Sequence, residues 1–217
     1  MQEFEKLLPQ RFYHIYNRGN NKENIFIEQR NYIYFLELWQ KHVSPVAETY
    51  AYCLMKNHFH FLVRIHDEEI ISELINANTP DRVQNPVRGK AEDEVISKRI
   101  SKNFSNHFNA YTQAFNIAFN RTGKLFETPF ERKRVNSEDY FKHLVYYIHF
   151  NPQKHGFTDD FRTWEYSSYN SLLSDKPTKL KRETVMNWFN QKDEFVSYHV
   201  SNKGDEGNIK SLIENDY

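Results

Sequence analysis

Residues 46–65, VAETYAYCLMKNHFHFLVRI, decide the fold class of this chain. Val46–Leu54 and His58–Ile65 are rich in β-branched and aromatic residues, and only Met55-Lys56-Asn57 separates them. Two such runs joined by three residues predict an antiparallel β-hairpin. Successive side chains of a strand point to opposite faces. The face that we interpret as the core face of the second strand carries Phe59, Phe61, Val63 and Ile65.

The segments around this hairpin predict a first β-α unit and an insertion. Phe12–Asn17 is a β-branched and aromatic run that ends at Arg18-Gly19-Asn20, and it predicts a strand. Gln29–His42 has apolar residues at three- and four-residue spacing, which predicts an amphipathic helix. Residues 66–97 are polar and predict an inserted segment, within which Ile70–Ile75 could form a short helix.

The second half of the chain repeats the alternation of helix and strand. Aromatic residues at helical spacing predict a long helix over Val95–Asn120, whose stripe we interpret as core. Leu125–Val135 predicts a strand interrupted at Pro129, and Glu138–Phe150 predicts a helix that Pro152 closes. A further short helix is expected near Glu183–Gln191.

This element order predicts the fold class and the domain organisation. Units of the β-α-β-β type around one antiparallel sheet indicate an α+β, ferredoxin-like domain whose sheet packs against helices. We expect this domain to span residues 1–175, including the insertion at 66–97. Residues 176–217 would then form a C-terminal extension with a short helix and a polar tail.

Composition limits the classes of function. Lys and Arg together number 29, as do Asp and Glu, so the net charge is zero. Without a global field to attract a polyanion, any binding of nucleic acid must depend on local patches. The aromatic content of 16% favours a filled core with further rings available for base stacking.

Cysteine usage and hydropathy bear on the compartment. Cys53 is the only cysteine, which excludes an internal disulfide. The N-terminus lacks the apolar run of a signal peptide, and no stretch approaches the roughly 18 apolar residues of a membrane span. We therefore expect a soluble, cytoplasmic protein with no membrane partner.

His58 and His60 form a candidate metal-binding pair. They lie on the strand face opposite the phenylalanines, and residues i and i+2 of a strand are roughly 7 Å apart, so both imidazoles could bind one cation. In a chain with ten histidines, a His-x-His pair also arises readily by chance. Two solvent-facing or hydrogen-bonded histidines therefore remain an alternative interpretation.

Tyr147 is a candidate nucleophile on the last predicted helix before Pro152. It shares a helix face with Asn151, at i and i+4. The residue before a proline avoids the α region, so we expect the Asn151 amide to project from the helix end. A tyrosine facing a metal site can attack a phosphodiester, because the phosphotyrosine ester conserves the bond energy for rejoining. Most helical tyrosines are structural, and the adjacent Tyr146 is a rival.

Five motifs occur in a characteristic order. They are YHIYNRG at 13–19, MKNHFH at 55–60, GKLFE at 123–127, YIHFNP at 147–152 and WEYSSY at 164–169. Together they resemble the HUH single-tyrosine transposases, especially the REP-associated tyrosine transposase branch. The resemblance covers about residues 12–172. The chain departs from the usual continuation after Asn-Pro, since it has Gln153-Lys154-His155-Gly156 there.

The resemblance implies a fold, a site and a substrate. It implies the HUH endonuclease fold, with His58, His60 and Asn151 as ligands of Mg²⁺ or Mn²⁺ and Tyr147 as the catalytic nucleophile. It also implies binding of single-stranded or hairpin DNA and strand transfer through a 5′-phosphotyrosine. In related transposases the tyrosine helix serves its own site or a partner's, so a homodimer stays open.

Two alternative functions stay open, and several basic side chains are candidates for a DNA-binding surface. The alternatives are a non-catalytic nucleic-acid-binding regulator and a metal hydrolase that uses no tyrosine. Basic side chains supply phosphate contacts in DNA complexes. The candidates here are Arg18, Lys22, Arg121, Lys124, Arg132, Lys133, Arg134 and Lys154, with Lys98, Arg99 and Lys102 at the start of the long helix. Tyr13, Tyr16 and Phe130 could stack on bases, although we favour core positions for them.

Overall fold

The predicted hairpin forms one side of a four-stranded antiparallel sheet with strand order β2-β3-β1-β4. A computed structural model describes residues 5–77 and 90–202, with side chains from residue 93 onward in the second range. Its strands are β1 (Phe12–Arg18), β2 (Ala47–Leu54), β3 (His58–Ile65) and β4 (Glu131–Val135). Its α-helices are α1 (Gln29–His42), α2 (Glu68–Ala77), α3 (Lys90–Ala118), α4 (Glu138–Lys154), α5 (Tyr169–Leu173), α6 (Arg182–Trp188) and α7 (Lys192–Ser201).

This topology confirms the predicted fold class. The order β1-α1-β2-β3-α3-β4 and the sheet order together make a ferredoxin-like α+β fold. Short 3-10 turns at Asn20–Lys22 and Phe161–Thr163 complete the elements. The two central strands, β1 and β3, place Tyr16 opposite His60 and His14 opposite Leu62.

One face of the sheet packs against α1 and α3. Phe59 and Phe61 are fully buried there, as the alternation predicts, and the Trp39 ring stacks on Phe61 with centroids 3.7 Å apart. Burying each such side chain stabilises the fold by about 1.5–3 kcal/mol. The aromatic stripe of α3 lies in the same core cluster, so its interpretation as core is confirmed.

The opposite face is also covered. Leu62 packs in a second core cluster with Leu144 and Ile148 of α4, and side chains of α5, α6 and α7 belong to the same cluster. The histidine face of β3 is therefore buried beneath α4. Layers on both faces of the sheet place α4 directly against the strand that carries His58 and His60.

The expected end of α4 is wrong. The helix continues through Pro152 to Lys154, and Asn151 is fully buried within it instead of projecting from its end. The avoidance of α backbone before proline is a bias that packing can overcome. Here Pro152 is buried, and its carbonyl accepts a hydrogen bond from the Phe157 N–H at 2.8 Å. The burial of Pro152 and this local hydrogen bond are consistent with a last turn that stays helical.

The predicted strand over 125–135 forms only in its second half, and its first half makes isolated hydrogen bonds. Only Glu131–Val135 is a regular strand, paired with β1. Residues 125–127 instead bond to the chain after β1: the Asn20 N–H donates to the Leu125 carbonyl, and the Glu127 N–H to the Arg18 carbonyl. The break falls at Pro129, which has no N–H to donate.

The insertion and the C-terminal region contain more helix than expected. Residues 66–97 include α2 and the start of α3, while 78–89 lie outside the described residues. Beyond residue 175, α6 and α7 pack on α4, and α5 and α7 were not predicted. The boundary at 175 stays a prediction, and the tail after 202 lies outside the described residues. Within 5–77 and 90–202, no helix is long and apolar enough to cross a membrane.

Candidate metal centre and nucleophile

His58 and His60 lie side by side under α4. Their rings meet edge to face with centroids 5.3 Å apart, and His60 is only 2% exposed. Nδ1 of His58 lies 2.7 Å from Oδ1 of Asn57. Because that oxygen can only accept, Nδ1 of His58 donates, and the lone pair of the neutral ring is left on Nε2. His58 is thus fixed in a tautomer that can bind a cation.

Asn151 supplies a third candidate ligand from α4. Its Nδ2 donates to the Tyr147 carbonyl at 3.0 Å, which fixes the orientation of the amide. Oδ1 of Asn151 and Nε2 of both His58 and His60 are buried, and none has a hydrogen-bond partner of normal geometry among the described residues. Leaving a buried polar atom unpaired costs about 1–3 kcal/mol. These atoms fit a shared cation, which would satisfy all of them.

Burial keeps the two histidines in the neutral form that binds metal. It lowers the pKa of His58 to about 3, helped by repulsion from His155 and Arg18. Asn151 partly offsets this effect, so its side chain neighbours His58 even though no well-formed hydrogen bond joins them. Burial also holds the pKa of His60 well below 6.5, and repulsion from neighbouring histidines adds to the effect.

A three-ligand metal site here requires the amide oxygen of Asn151 in addition to the two histidines. In the described part of the chain, no group of three histidine, cysteine or carboxylate side chains could hold a metal ion. Two imidazoles and one amide oxygen would leave other coordination positions to water or substrate oxygens. Imidazoles suit softer cations, whereas an amide oxygen and waters suit Mg²⁺ or Mn²⁺, so this donor set does not by itself select one ion.

Tyr147, but not Tyr146, lies against the candidate metal centre. The Tyr147 ring meets the His60 ring edge to face with centroids 5.4 Å apart, within one chain. The Tyr146 hydroxyl donates to the Asn202 carbonyl at 2.6 Å, and its ring stacks on Phe150. The two neighbours therefore face different surroundings: Tyr147 faces the histidines, and Tyr146 faces α7.

A cleft of about 440 Å³ opens beside the histidines. Arg18 and Lys22 line it, and the Arg18 Nε is 2.7 Å from the Glu127 carboxylate. Lys154 is exposed, with Nζ 5.2 Å from the centre of the Tyr147 ring. Lys133 shares the sheet face of His14, which it opposes in β4. These four predicted DNA-binding cations lie at or near the candidate site.

The other predicted DNA-binding cations lie elsewhere. Arg121 pairs with Glu23 at 2.7 Å and donates to Asn116, so it ties the end of α3 to the loop after β1. Arg132 and Arg134 are on the opposite sheet face from Lys133, since side chains alternate. Arg132 donates to Ser101, with its guanidinium 4.1 Å from the centre of the Phe130 ring. Lys124 is exposed on a neighbouring groove.

The three aromatic residues that were considered for base stacking also differ in their surroundings. Tyr13 is 1% exposed and donates its hydroxyl to the Lys6 carbonyl, and Phe130 is buried beneath Arg132, so both have packing roles. Tyr16 differs, because it is half-buried and lines the cleft. It is the one of these three rings that a base in the cleft could reach.

Sequence reasoning missed two histidines at the site. His14 is fully buried with Nε2 2.8 Å from Nδ1 of His60. His155 lines the cleft and meets the His58 ring edge to face, with centroids 4.9 Å apart. Alternation along β1 could have placed His14, Tyr16 and Arg18 on one face. Only the pairing of β1 with β3 shows that this face is the one that carries His60.

The fold is a ferredoxin-like sheet with a tyrosine-bearing helix over a pair of strand histidines. Among solved structures, the chain is similar to a REP-associated tyrosine transposase bound to a REP hairpin. The TM-score is 0.50 and the sequence identity 14%, over 82% of this chain and 89% of that chain. No protein-family model and no curated protein matches the sequence. At this identity the likeness establishes the fold.

Proposed function

We propose that this chain is a metal-dependent endonuclease and strand transferase that acts on hairpin-forming single-stranded DNA through a 5′-phosphotyrosine at Tyr147. The observation that carries the proposal is that three neighbouring side chains beside the Tyr147 ring, His58, His60 and Asn151, each have a buried atom without a hydrogen-bond partner among the described residues. The solved neighbour with this fold is described as a tyrosine transposase bound to a hairpin, which supports the choice of substrate.

The proposed reaction is an in-line displacement at phosphorus. Tyr147 Oη forms a bond to the phosphorus, the bond to the 3′ oxygen breaks, and the phenol proton is lost as the leaving oxygen gains one. A divalent cation held by His58, His60 and Asn151 would supply Lewis-acid polarisation of the phosphate. Arg18 and Lys22 in the cleft would bind neighbouring phosphates, while Asn57 keeps His58 in the required tautomer.

The test is formation of a covalent adduct on a labelled single-stranded hairpin with Mn²⁺. We expect wild type to give a band that survives denaturation, and Tyr147→Phe to give none. Tyr146→Phe is the matched control, because it removes a hydroxyl that bonds to the Asn202 carbonyl just after α7, and it should retain the adduct. An adduct that persists in Tyr147→Phe and disappears in Tyr146→Phe would reverse the assignment.

One observation favours a second function. Tyr147 is only 2% exposed, so its hydroxyl must become accessible before it can attack a phosphate. A chain in which that never happens would be a hairpin-binding regulator without cleavage. Tight hairpin binding with no adduct under Mg²⁺ or Mn²⁺ would identify this function. Cleavage that survives loss of both tyrosines would instead indicate a metal hydrolase.

A further inference from the structure

His14 is a fully buried polar residue that the proposed reaction does not use. It lies on β1, and its ring stacks on that of Tyr16 with centroids 4.6 Å apart. Its Nε2 is 2.8 Å from Nδ1 of His60, while its Nδ1 is buried without a hydrogen-bond partner in the described part of the chain.

The hydrogen bond between the two rings has a definite direction when His60 binds a metal. A neutral imidazole has one N–H and one lone pair. If Nε2 of His60 donates its lone pair to a cation, its proton must be on Nδ1, which then donates to Nε2 of His14. Neutral His14 must in turn have its proton on Nδ1. With the direction reversed, the proton of His60 would be on Nε2 and would block metal binding.

We infer that His14 is a positioning residue that holds His60 in its metal-binding tautomer and orientation by accepting a hydrogen bond from Nδ1. The inference rests on the proposed function, because it requires His60 to be a metal ligand. His14 does the same for His60 that Asn57 does for His58, whose Nδ1 lies 2.7 Å from the Asn57 oxygen. Each histidine thus has a hydrogen-bond acceptor at Nδ1, and its Nε2 has no hydrogen-bond partner among the described residues.

The surroundings of His14 favour this acceptor role. The ring is fully buried, and its Nε2 lies 2.8 Å from Nδ1 of His60. A neutral ring with its proton on Nδ1 offers the Nε2 lone pair at that position. Removal of the hydrogen-bond partner of a metal-ligating histidine typically lowers metal affinity by about 10–100-fold.

The test measures Mn²⁺ affinity without DNA, by titration calorimetry on the full chain. We expect His14→Leu, which keeps bulk but cannot accept, to raise the Kd by about 10–100-fold. His14→Gln offers an oxygen at similar reach, and we expect it to stay within about threefold of wild type. His107→Leu is the control, since His107 is a buried histidine packed against Trp39 in the other core. Its Kd should equal that of wild type.

The wild-type protein offers a second measurement that needs no variant to fold. Long-range ¹H–¹⁵N correlation with Mg²⁺ bound should show the protons of His14 and His60 on Nδ1. Unchanged Mn²⁺ affinity in His14→Leu, equal losses in Leu and Gln, or a proton on Nε2 of His60 would overturn the role of His14. Wild type that binds no Mn²⁺ would overturn the metal site and the proposed function with it.

Discussion

The basic side chains that were predicted to bind DNA differ in whether they are already held by other residues. Lys22 is exposed and lines the cleft, and its side chain has no ion pair within residues 5–77 and 90–202 that a phosphate would have to break. Arg121 is held by Glu23 and Asn116 at 2.7 Å each, and a phosphate would have to compete with both. Both side chains are positively charged and both follow a regular element, so the sequence does not separate them, but their partners do.

Lys22→Gln should therefore weaken hairpin binding in a salt-dependent way. Removing one cation that neutralises a phosphate of a single strand reduces the slope of log K against log salt by about 0.7. We expect that reduction in Lys22→Gln, with affinities measured by fluorescence anisotropy from low to moderate salt. Arg121→Gln is the matched control and should leave the slope unchanged. A change in Arg121→Gln without one in Lys22→Gln would contradict the assignment.

At the scale of elements, α7 anchors the helix that carries Tyr147. Nδ1 of His199 bonds to the Phe195 carbonyl, so it donates, and Nε2 of His199 must accept. His149 of α4 therefore donates to His199 at 2.9 Å, and its Nε2 accepts from the Ser168 hydroxyl at 2.7 Å. The Tyr52 N–H on β2 donates to that same hydroxyl. This chain of buried bonds joins α7, α4 and the sheet.

His199→Leu should destabilise the fold, because it leaves the N–H of His149 buried and without its acceptor. The expected loss is about 1–3 kcal/mol in the free energy of urea unfolding. His143→Ala provides the control, since it removes the partly buried partner of the Tyr198 hydroxyl and should cost less. A His199→Leu protein as stable as wild type would show that these bonds do not hold α4.

The same elements show what sequence patterns can predict. β3 and α1 match their expected limits because a clear alternation or helical stripe marks each of them. α7 was missed because its inward face carries His199 beside Phe195, and a buried histidine breaks the apolar stripe. Alternation placed His58 and His60 on one face correctly, whereas the predicted projection of Asn151 from the helix end was wrong, because α4 continues through the buried Pro152.

At the scale of the whole molecule, buried neutral histidines make the fold sensitive to acid. Burial lowers the pKa of each of six side chains: His14, His58, His60, His107, His149 and His199. Below pH 6.5, the unfolded chain binds protons that these side chains in the folded chain do not. Stability is therefore full above pH 6.5 and falls as the pH decreases below it.

His107→Leu tests the contribution of one histidine, distant from the metal site, to the pH dependence of stability. Burial lowers the pKa of His107 to about 3, so it adds a slope approaching about 1.4 kcal/mol per pH unit below pH 6.5. We expect the variant to show a slope smaller by about that amount in urea unfolding with EDTA. An unchanged slope would mean that His107 is protonated in the folded protein.

The central claim is that Tyr147 becomes covalently attached to DNA. The most direct measurement identifies the residue that carries the attached nucleotide. Wild type is reacted with a hairpin oligonucleotide and Mn²⁺, then digested with nuclease and trypsin. Cleavage after Lys142 and Lys154 isolates residues 143–154, whose only tyrosines are Tyr146 and Tyr147. Fragmentation of this peptide in the mass spectrometer should place the added nucleotide on Tyr147. A nucleotide on Tyr146, on any other peptide, or on none would contradict the account.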